Sequence, residues 1–379
     1  MSSTTPIPDA DVTLRVGVLG AGQLGRMLAL AGLPLGCSFV FVDPTANSPA
    51  AALGEQVVCG YTDPAGLAAL AACAVVTYEF ESVPVAAAEA LAHSVPVFPP
   101  PGALAVAQDR LLEKSCFREL GIGTAPFEAV DSLADLQRAV AKLGLPAVLK
   151  TRRLGYDGKG QFVLKHAEDA AAAWRAVGEA PSILEGFVRF ERELSLIAVR
   201  ARDGHTAFYP LVENHHEHGI LRKTLAPAPT LTPELQSAAE SYATRILEHL
   251  SYVGVLALEL FQVGGTLVVN EIAPRVHNSG HFSIEGSRTS QFENHLRAIL
   301  GLPLGDTAAV APSCMLNLVG SLHRSADVLA VPDTHLHLYG KSPRAGRKVG
   351  HLTVRAATVA ELATRVATLE AIVGVRDSG

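Results

Sequence analysis

Gly254-Val255-Leu256-Ala257-Leu258-Glu259-Leu260-Phe261-Gln262-Val263, then Gly264-Gly265, then Thr266-Leu267-Val268-Val269-Asn270-Glu271-Ile272-Ala273 is the stretch that decides the fold. Two runs rich in apolar and β-branched residues flank a Gly-Gly pair, the pattern of paired antiparallel strands. Each run carries one carboxylate in apolar company, Glu259 and Glu271. A carboxylate buried alone is costly, so two in facing strands require a cation. Oxygen ligands of this kind suit Mg²⁺, with bound phosphates completing the octahedron. The plain alternative is a hairpin whose glutamates face water. To share a metal the two must point to one face, and side chains alternate with period two. A two-residue turn pairs Glu259 with Asn270 and sends Glu271 to the other face. A three-residue turn, Gly264-Gly265-Thr266, sets Glu259 opposite Glu271, so the metal reading predicts that turn, with a glycine bulge at positive φ. Repulsion between the two carboxylates should then raise one pKa.

The chain has 379 residues, enough for two or three domains. Hydrophobic residues make up 49% and charged residues 18%, which excludes a disordered chain. A net charge of −6 gives no reason to expect a nucleic-acid partner. The five cysteines are scattered without a Cys-x-x-Cys pair, as expected of reduced thiols in the cytoplasm. Residues 1–13 read as a polar, disordered tail lacking the basic start and apolar centre of a signal peptide. The longest apolar stretch, around 67–76, is too short to span a bilayer.

Upstream of the hairpin, an apolar run at 14–19 leads into Gly20-Ala21-Gly22-Gln23-Leu24-Gly25, followed by a helical pattern over 24–33. A second strand at 38–42 ends in Asp43. Taken alone, this is a complete dinucleotide fingerprint, although a glycine turn at a helix N-terminus binds any phosphate. Strands at 74–78, ending in Glu79-Phe80-Glu81, and at 95–98 complete a parallel α/β sheet within 14–105. Helices are expected over 103–120 and 133–143. A strand at 147–150 presents Lys150 before Thr151-Arg152-Arg153-Leu154-Gly155-Tyr156-Asp157-Gly158-Lys159-Gly160-Gln161, a glycine-rich cationic flap suited to polyphosphate or else a solvated basic turn. Of His215, His216 and His218, one is expected to serve a nucleotide and the others to lie at the surface, since adjacent histidines in extended chain point apart. A helix over 287–300 closes a central domain of 106–300. The rest, 301–379, reads as a small α+β cap whose loop gathers Lys341, Arg344, Arg347 and Lys348, an anion site or a solvated loop.

Four motifs occur together and in order: Gly22-Gln23-Leu24-Gly25-Arg26-Met27, the flap from Arg152 to Gln161, Asn270-Glu271-Ile272-Ala273-Pro274-Arg275-Val276-His277-Asn278-Ser279-Gly280-His281, and Tyr339-Gly340-Lys341 with Arg347-Lys348-Val349-Gly350-His351. The chain resembles the 5-(carboxyamino)imidazole ribonucleotide synthetase family of the ATP-grasp superfamily over about residues 14–355. Ala21 stands where that family usually has glycine, and Leu154 stands where its flap usually begins Gly-Gly, a change that stiffens the flap.

The resemblance implies an ATP-grasp fold with a Rossmann-like N-terminal domain and an α+β cap. It implies that Arg110 and Lys150 contact ATP phosphates beneath Gly155, Tyr156, Asp157, Gly158, Lys159, Gly160 and Gln161. Glu185, Gly186, Phe187 and Val188 would line the adenine, Glu193 the ribose, and His216 a further nucleotide contact. Glu259 and Glu271 would hold Mg²⁺, replaceable by Mn²⁺, with Asn270 beside them. Arg275, His277 and Asn278 would cradle bicarbonate, with Tyr156, Asp157 and Lys159 among the catalytic groups. Gly22, Gln23, Leu24, Glu79, Tyr156, Asp157, Lys341, Arg347 and Lys348 would surround aminoimidazole ribonucleotide, and a cytoplasmic homodimer is the implied form. The alternatives are another ATP-grasp ligase, such as formate-dependent glycinamide ribonucleotide transformylase or biotin carboxylase, an NAD-linked oxidoreductase, or a non-catalytic nucleotide sensor.

Overall fold

The computed structural model describes residues 14–155 and 160–374. The tail at 1–13 and the flap residues Tyr156, Asp157, Gly158 and Lys159 lie outside the described residues.

Near-continuous apolar runs build a parallel sheet covered on both faces, in the order Glu55–Val57, Cys37–Val42, Leu14–Leu19, Val75–Tyr78. The expected strand at 95–98 does not form. It touches the sheet through a single bridge, Val76 to Val97. Pro96 lies within it and Pro99 directly follows it, and neither has an N–H to give a ladder. The short edge strand Glu55–Val57 makes up the four.

The central sheet is antiparallel, in the order Thr266–Ala273, Gly254–Val263, Arg192–Arg200, Val212–Glu217, Ile220–Ala226, Ser313–Val319, Lys348–Arg355, Thr334–Leu338. The cap strands therefore continue this sheet, joined where Lys223 pairs with Leu316 and Ala226 with Ser313. A third, four-stranded sheet carries Lys150 on Ala147–Thr151, beside Gln161–Leu164 and Ser182–Gly186. The helix Leu133–Leu143 begins at the Ser132 cap and packs Leu136, Ala139 and Val140 against it.

The helix expected over 103–120 is broken by a cap, and the one expected over 287–300 begins only at Gln291. Asp109 ends Pro101–Ala107 and starts Arg110–Glu119 by accepting the backbone N–H groups of Leu111 and Leu112 at 3.0 and 3.4 Å. Likewise Ser290 caps Gln291–Leu300, with Ser283–Gly286 a separate turn.

The hairpin sets Glu259 opposite Glu271, by a different route from the expected turn. Val263 pairs with Thr266, so the turn has two residues, Gly264 and Gly265 at φ +55° and +77°. Both sit in the left-handed region that a tight primed turn requires. Pairing then runs Leu260 to Val269 and Glu259 to Glu271, so the extra residue is Asn270, in a bulge within the strand. Two glycines satisfy the tight turn fully, and the change of parity falls beside the carboxylates.

One buried histidine ties this hairpin to the parallel sheet. Val255 N–H donates to His295 Nδ1 at 3.1 Å, so Nε2 carries the proton and donates to Thr77 Oγ1 at 2.9 Å. Burial takes the His295 pKa down to about 3, so the ring stays neutral.

Candidate active site

The hairpin carboxylates are gripped from opposite sides. Glu259 Oε1 lies 3.1 Å from His277 Nε2, and Glu271 Oε2 accepts from Arg110 Nη1 at 2.9 Å. Arg110 also donates to the Gly155 carbonyl at 3.1 Å, which joins the hairpin to the base of the flap. Burial works to raise Glu259, yet the His277 hydrogen bond and the charges of His277, His216 and Arg275 bring it down to about 2. The expected rise therefore does not occur on Glu259. The acid that rises is Glu113, taken to about 8 by burial and then by the charge of Glu271, while it accepts the Ile272 N–H at 2.8 Å. Two hard oxygen donors set opposite one another, one firmly ionised, fit a divalent cation. Among the described residues no group of three or more His, Cys, Asp or Glu is placed to hold a metal by protein ligands alone.

Across from the hairpin, Lys150 Nζ donates to Glu185 Oε2 at 3.0 Å, and the buried Lys114 Nζ lies 3.7 Å from the same oxygen. Burial works to raise Glu185, but Lys114 and Lys150 hold it at about 2. Its carboxylate thus braces the two lysines, with Oε1 buried and unpartnered. The backbone N–H groups of Gly186 and Phe187 go to the Pro126 and Pro146 carbonyls at 2.8 and 3.2 Å. The Phe187 ring is exposed and Val188 half-buried. Farther along, His216 Nδ1 lies 2.8 Å from Glu193 Oε2, whereas His215 turns to Glu213 and His218 is exposed.

At the glycine turn the phosphate seat is filled from within. Glu79 accepts the N–H groups of Gly22 and, at 2.6 Å, Gly25, at the start of the helix Gln23–Gly32. A Cβ on Gly22 would lie 2.5 Å from Glu79 Oε1, so the glycine admits a carboxylate. Asp43, which a dinucleotide enzyme would spend on ribose, accepts from Ala21 N–H at 3.1 Å and Thr45 N–H at 2.7 Å. The fingerprint therefore has no open seat for a pyrophosphate, and the dinucleotide reading fails. The cap reaches the same turn: Lys341 Nζ donates to Gln23 Oε1, and burial lowers Lys341 against the pull of Glu79. Leu24 is buried beneath it. Arg347 Nη1 donates to the Ser342 carbonyl at 3.3 Å, Arg344 faces outward, and the charge of Lys348 reaches His216.

The segment after the hairpin is held at every residue. Arg275 is ion-paired with Glu81, which burial works to raise but Arg275 holds at about 2. His277 Nδ1 lies 2.8 Å from Ser279 Oγ, which turns Nε2 toward Glu259. Gln291 accepts the His277 N–H at 2.9 Å and donates to the His277 carbonyl at 2.6 Å. Asn278 pairs with Asn317 of the cap.

Sequence reasoning passed over Glu81, Glu113, Lys114, Gln291 and Asn317. A usable signal existed for two of them: Glu113 and Lys114 stand three and four residues after Arg110, on its helix face.

Three family descriptions match the chain in order: a ribonucleotide synthetase preATP-grasp domain over residues 13–108, an ATP-grasp domain over 115–292, and a phosphoribosylaminoimidazole carboxylase C-terminal domain over 313–365. The N5-carboxyaminoimidazole ribonucleotide synthase of Pseudomonas aeruginosa is 55% identical over 361 residues, covering 95% of this chain and 99% of that protein. The crystal structure of N5-carboxyaminoimidazole ribonucleotide synthetase from Thermus thermophilus superposes with a TM-score of 0.93 at 54% identity, over 96% of this chain and 100% of that one. The Aspergillus clavatus N5-carboxyaminoimidazole synthase, solved with ADP and 5-aminoimidazole ribonucleotide, gives 0.89 at 33% identity, over 96% and 99%.

Proposed function

The chain belongs to the N5-carboxyaminoimidazole ribonucleotide synthase family of ATP-grasp ligases, and from that membership we propose how its own residues carry out the ATP-dependent carboxylation of 5-aminoimidazole ribonucleotide in purine synthesis. In the division of labour proposed, residues 14–105 hold the nucleotide substrate, 106–300 hold ATP, and 301–379 grip the substrate phosphate.

Lys150, braced by Glu185, and Arg110 meet the ATP phosphates, and the flap that starts at Gly155 closes over them. Phe187 and Val188 meet the adenine, and Glu193 with His216 the ribose side. Glu259 and Glu271 would hold Mg²⁺, which would supply charge neutralisation at the phosphates and polarise the γ-phosphoryl group. Arg275, His277 and Asn278 orient bicarbonate so that its oxygen attacks the γ-phosphorus, giving carboxyphosphate and ADP. Arg275 and Lys150 offset charge as it moves from bicarbonate to the leaving diphosphate. Exclusion of water by the closed flap protects carboxyphosphate from hydrolysis. The exocyclic amine of the nucleotide, held by Gln23 and Glu79 with Lys341 on its phosphate, attacks the carboxyl carbon, directly or as released CO₂. The amine loses a proton, the C–O bond to phosphate breaks, and a carbamate forms.

The observation that carries this reading is a set of contacts that reaches all four motifs. Arg110 links flap and Glu271, His277 meets Glu259, Arg275 meets Glu81, and Lys341 meets Gln23. A coupled ADP assay with bicarbonate tests it, adding 5-aminoimidazole ribonucleotide, glycinamide ribonucleotide plus formate, or biotin in turn. Only the first should give fast turnover; equal rates with either of the others would sink the assignment. A cytoplasmic homodimer is part of the same proposal, with light scattering as its check. Among the described residues no helix is long and apolar enough to cross a membrane.

A further inference from the structure

Asn317 is almost fully buried, 1% exposed, in the cap strand Ser313–Val319. Its amide forms a reciprocal pair with that of Asn278. Asn317 Nδ2 donates to Asn278 Oδ1 at 2.8 Å, and Asn278 Nδ2 donates to Asn317 Oδ1 at 3.1 Å. Such a pair alone could turn over, both amides together, without losing a bond. Here it cannot, because Asn317 Nδ2 also donates to the Leu221 carbonyl at 2.9 Å. A carbonyl only accepts, so nitrogen must face it, and a flip would set oxygen against oxygen.

This anchor fixes the atoms of Asn278 as well. Asn278 Oδ1 must face Asn317 Nδ2, and Asn278 Nδ2 spends one of its two N–H groups on Asn317. The second N–H of Asn278 donates to no protein group among the described residues, which leaves it available to a ligand. A flipped Asn278 would offer a lone pair there and would repel an anion. The backbone of this segment is held separately, since Gln291, fully buried, clasps both the N–H and the carbonyl of His277. Changing Asn317 therefore alters which atom Asn278 presents more than where the segment lies.

We propose that Asn317 is a positioning residue for carboxylation: anchored on the Leu221 carbonyl, it locks the Asn278 amide with an N–H donor turned to the oxyanion substrate, bicarbonate. The proposal rests on the carboxylase reading above. It also gives the cap a second task, beyond gripping the substrate phosphate with Lys341.

The test uses the full-length enzyme and the variants Asn317→Asp, Asn317→Ala, Asn278→Ala and Asn278→Ala/Asn317→Asp, assayed for ADP release against bicarbonate in CO₂-depleted buffer. Aspartate has nearly the shape of asparagine but cannot donate to Leu221 or to Asn278. Asn317→Asp should raise the KM for bicarbonate about tenfold or more, the loss expected for a hydrogen bond to a charged group. The KM for ATP should stay within about twofold, and kcat should fall far less than the bicarbonate KM rises, a split that general loosening of the fold would not give. Asn317→Ala should shift the same constant in the same direction without burying a charge, and it decides the matter if the aspartate variant does not fold. The double variant should behave as Asn278→Ala alone, because Asn317 acts through Asn278. An unchanged bicarbonate KM in Asn317→Ala, or full additivity in the double variant, overturns the proposal. A wild-type enzyme whose ADP release ignores bicarbonate would instead overturn the functional reading beneath it.

Discussion

Glu79 after the strand Val75–Tyr78 and Glu259 within the hairpin strand both leave water beside apolar residues, and their acidities move in opposite directions. For Glu79 burial is the largest influence and raises the carboxyl, with Asp43 adding repulsion. The N–H groups of Gly25 and Gly22 and the charge of Lys341 pull the other way and do not cancel it. For Glu259 burial also works upward, but the His277 hydrogen bond and the charges of His277, His216 and Arg275 take it to about 2. Two neutral donors compensate less than a hydrogen bond reinforced by several charges. The glycine turn therefore holds a carboxyl raised by its burial, while the hairpin holds a carboxylate kept ionised by the groups around it.

The sharpest break of this comparison is to remove the hairpin charges. Glu259→Gln and Glu271→Gln should each lower kcat by on the order of a thousandfold, as loss of a central electrostatic group does. The circular dichroism spectrum should stay unchanged. Normal Mg²⁺-dependent ATP cleavage by either variant would put the metal elsewhere.

At the other carboxylate, Lys341→Ala removes the cation facing Glu79 and Gln23. Affinity for 5-aminoimidazole ribonucleotide should fall about tenfold or more, from roughly 1.5–3 kcal/mol per charge-assisted contact, with ATP affinity nearly intact. Calorimetry with each nucleotide separates the two.

Acid unfolding separates the two kinds of carboxylate. Glu185 and Glu259 have carboxyls at about 2 against an ordinary 4.5, so each contributes stability above pH 4.5 that is lost as pH falls toward 2. Glu79 is raised, so its contribution has the opposite sign, present below pH 4.5 and lost as pH rises through its folded value. The melting temperature of Glu185→Gln should therefore decline less between pH 4.5 and 2 than that of the wild type. A steeper decline would reverse the assignment.

The smallest effect is expected at the turn. One glycine inserted between Gly264 and Gly265 leaves the Asn270 bulge in place, so Glu259 still faces Glu271. Activity should stay within about twofold, and stability should fall by about 1 kcal/mol from the added chain entropy and lost turn geometry. A loss of activity as large as that of Glu271→Gln would show that the turn, and not the bulge, sets the register.

Much of the site was legible because its chemistry is clustered along the chain. Asn270 to Asn278 is one continuous run, Lys150 ends a strand, and both glycine pairs announce turns. The glycine turn was legible as geometry but ambiguous as chemistry, since G-x-G-x-x-G describes a backbone that admits a close anion without saying which one. Glu79 filling it is a contact across 57 residues to Gly22. The bulge was misplaced for a related reason. The sequence demanded a change of parity somewhere between the glutamates, and the glycines were the visible place to put it, whereas Asn270 carries no local mark of irregularity.

By itself the sequence determined three of the four strands of the parallel sheet, the carboxylate hairpin and the residue types gathered around it, because apolar periodicity and turn chemistry act between near neighbours. Only the tertiary structure decided which charges neutralise one another: Arg275 with Glu81 across 194 residues, Glu271 with Arg110 across 161, and Asn278 with Asn317 across 39. Such pairings follow from burial, which leaves each desolvated group to take whichever partner the fold brings within about 3 Å. That choice depends on how whole sheets pack, and no local pattern encodes it.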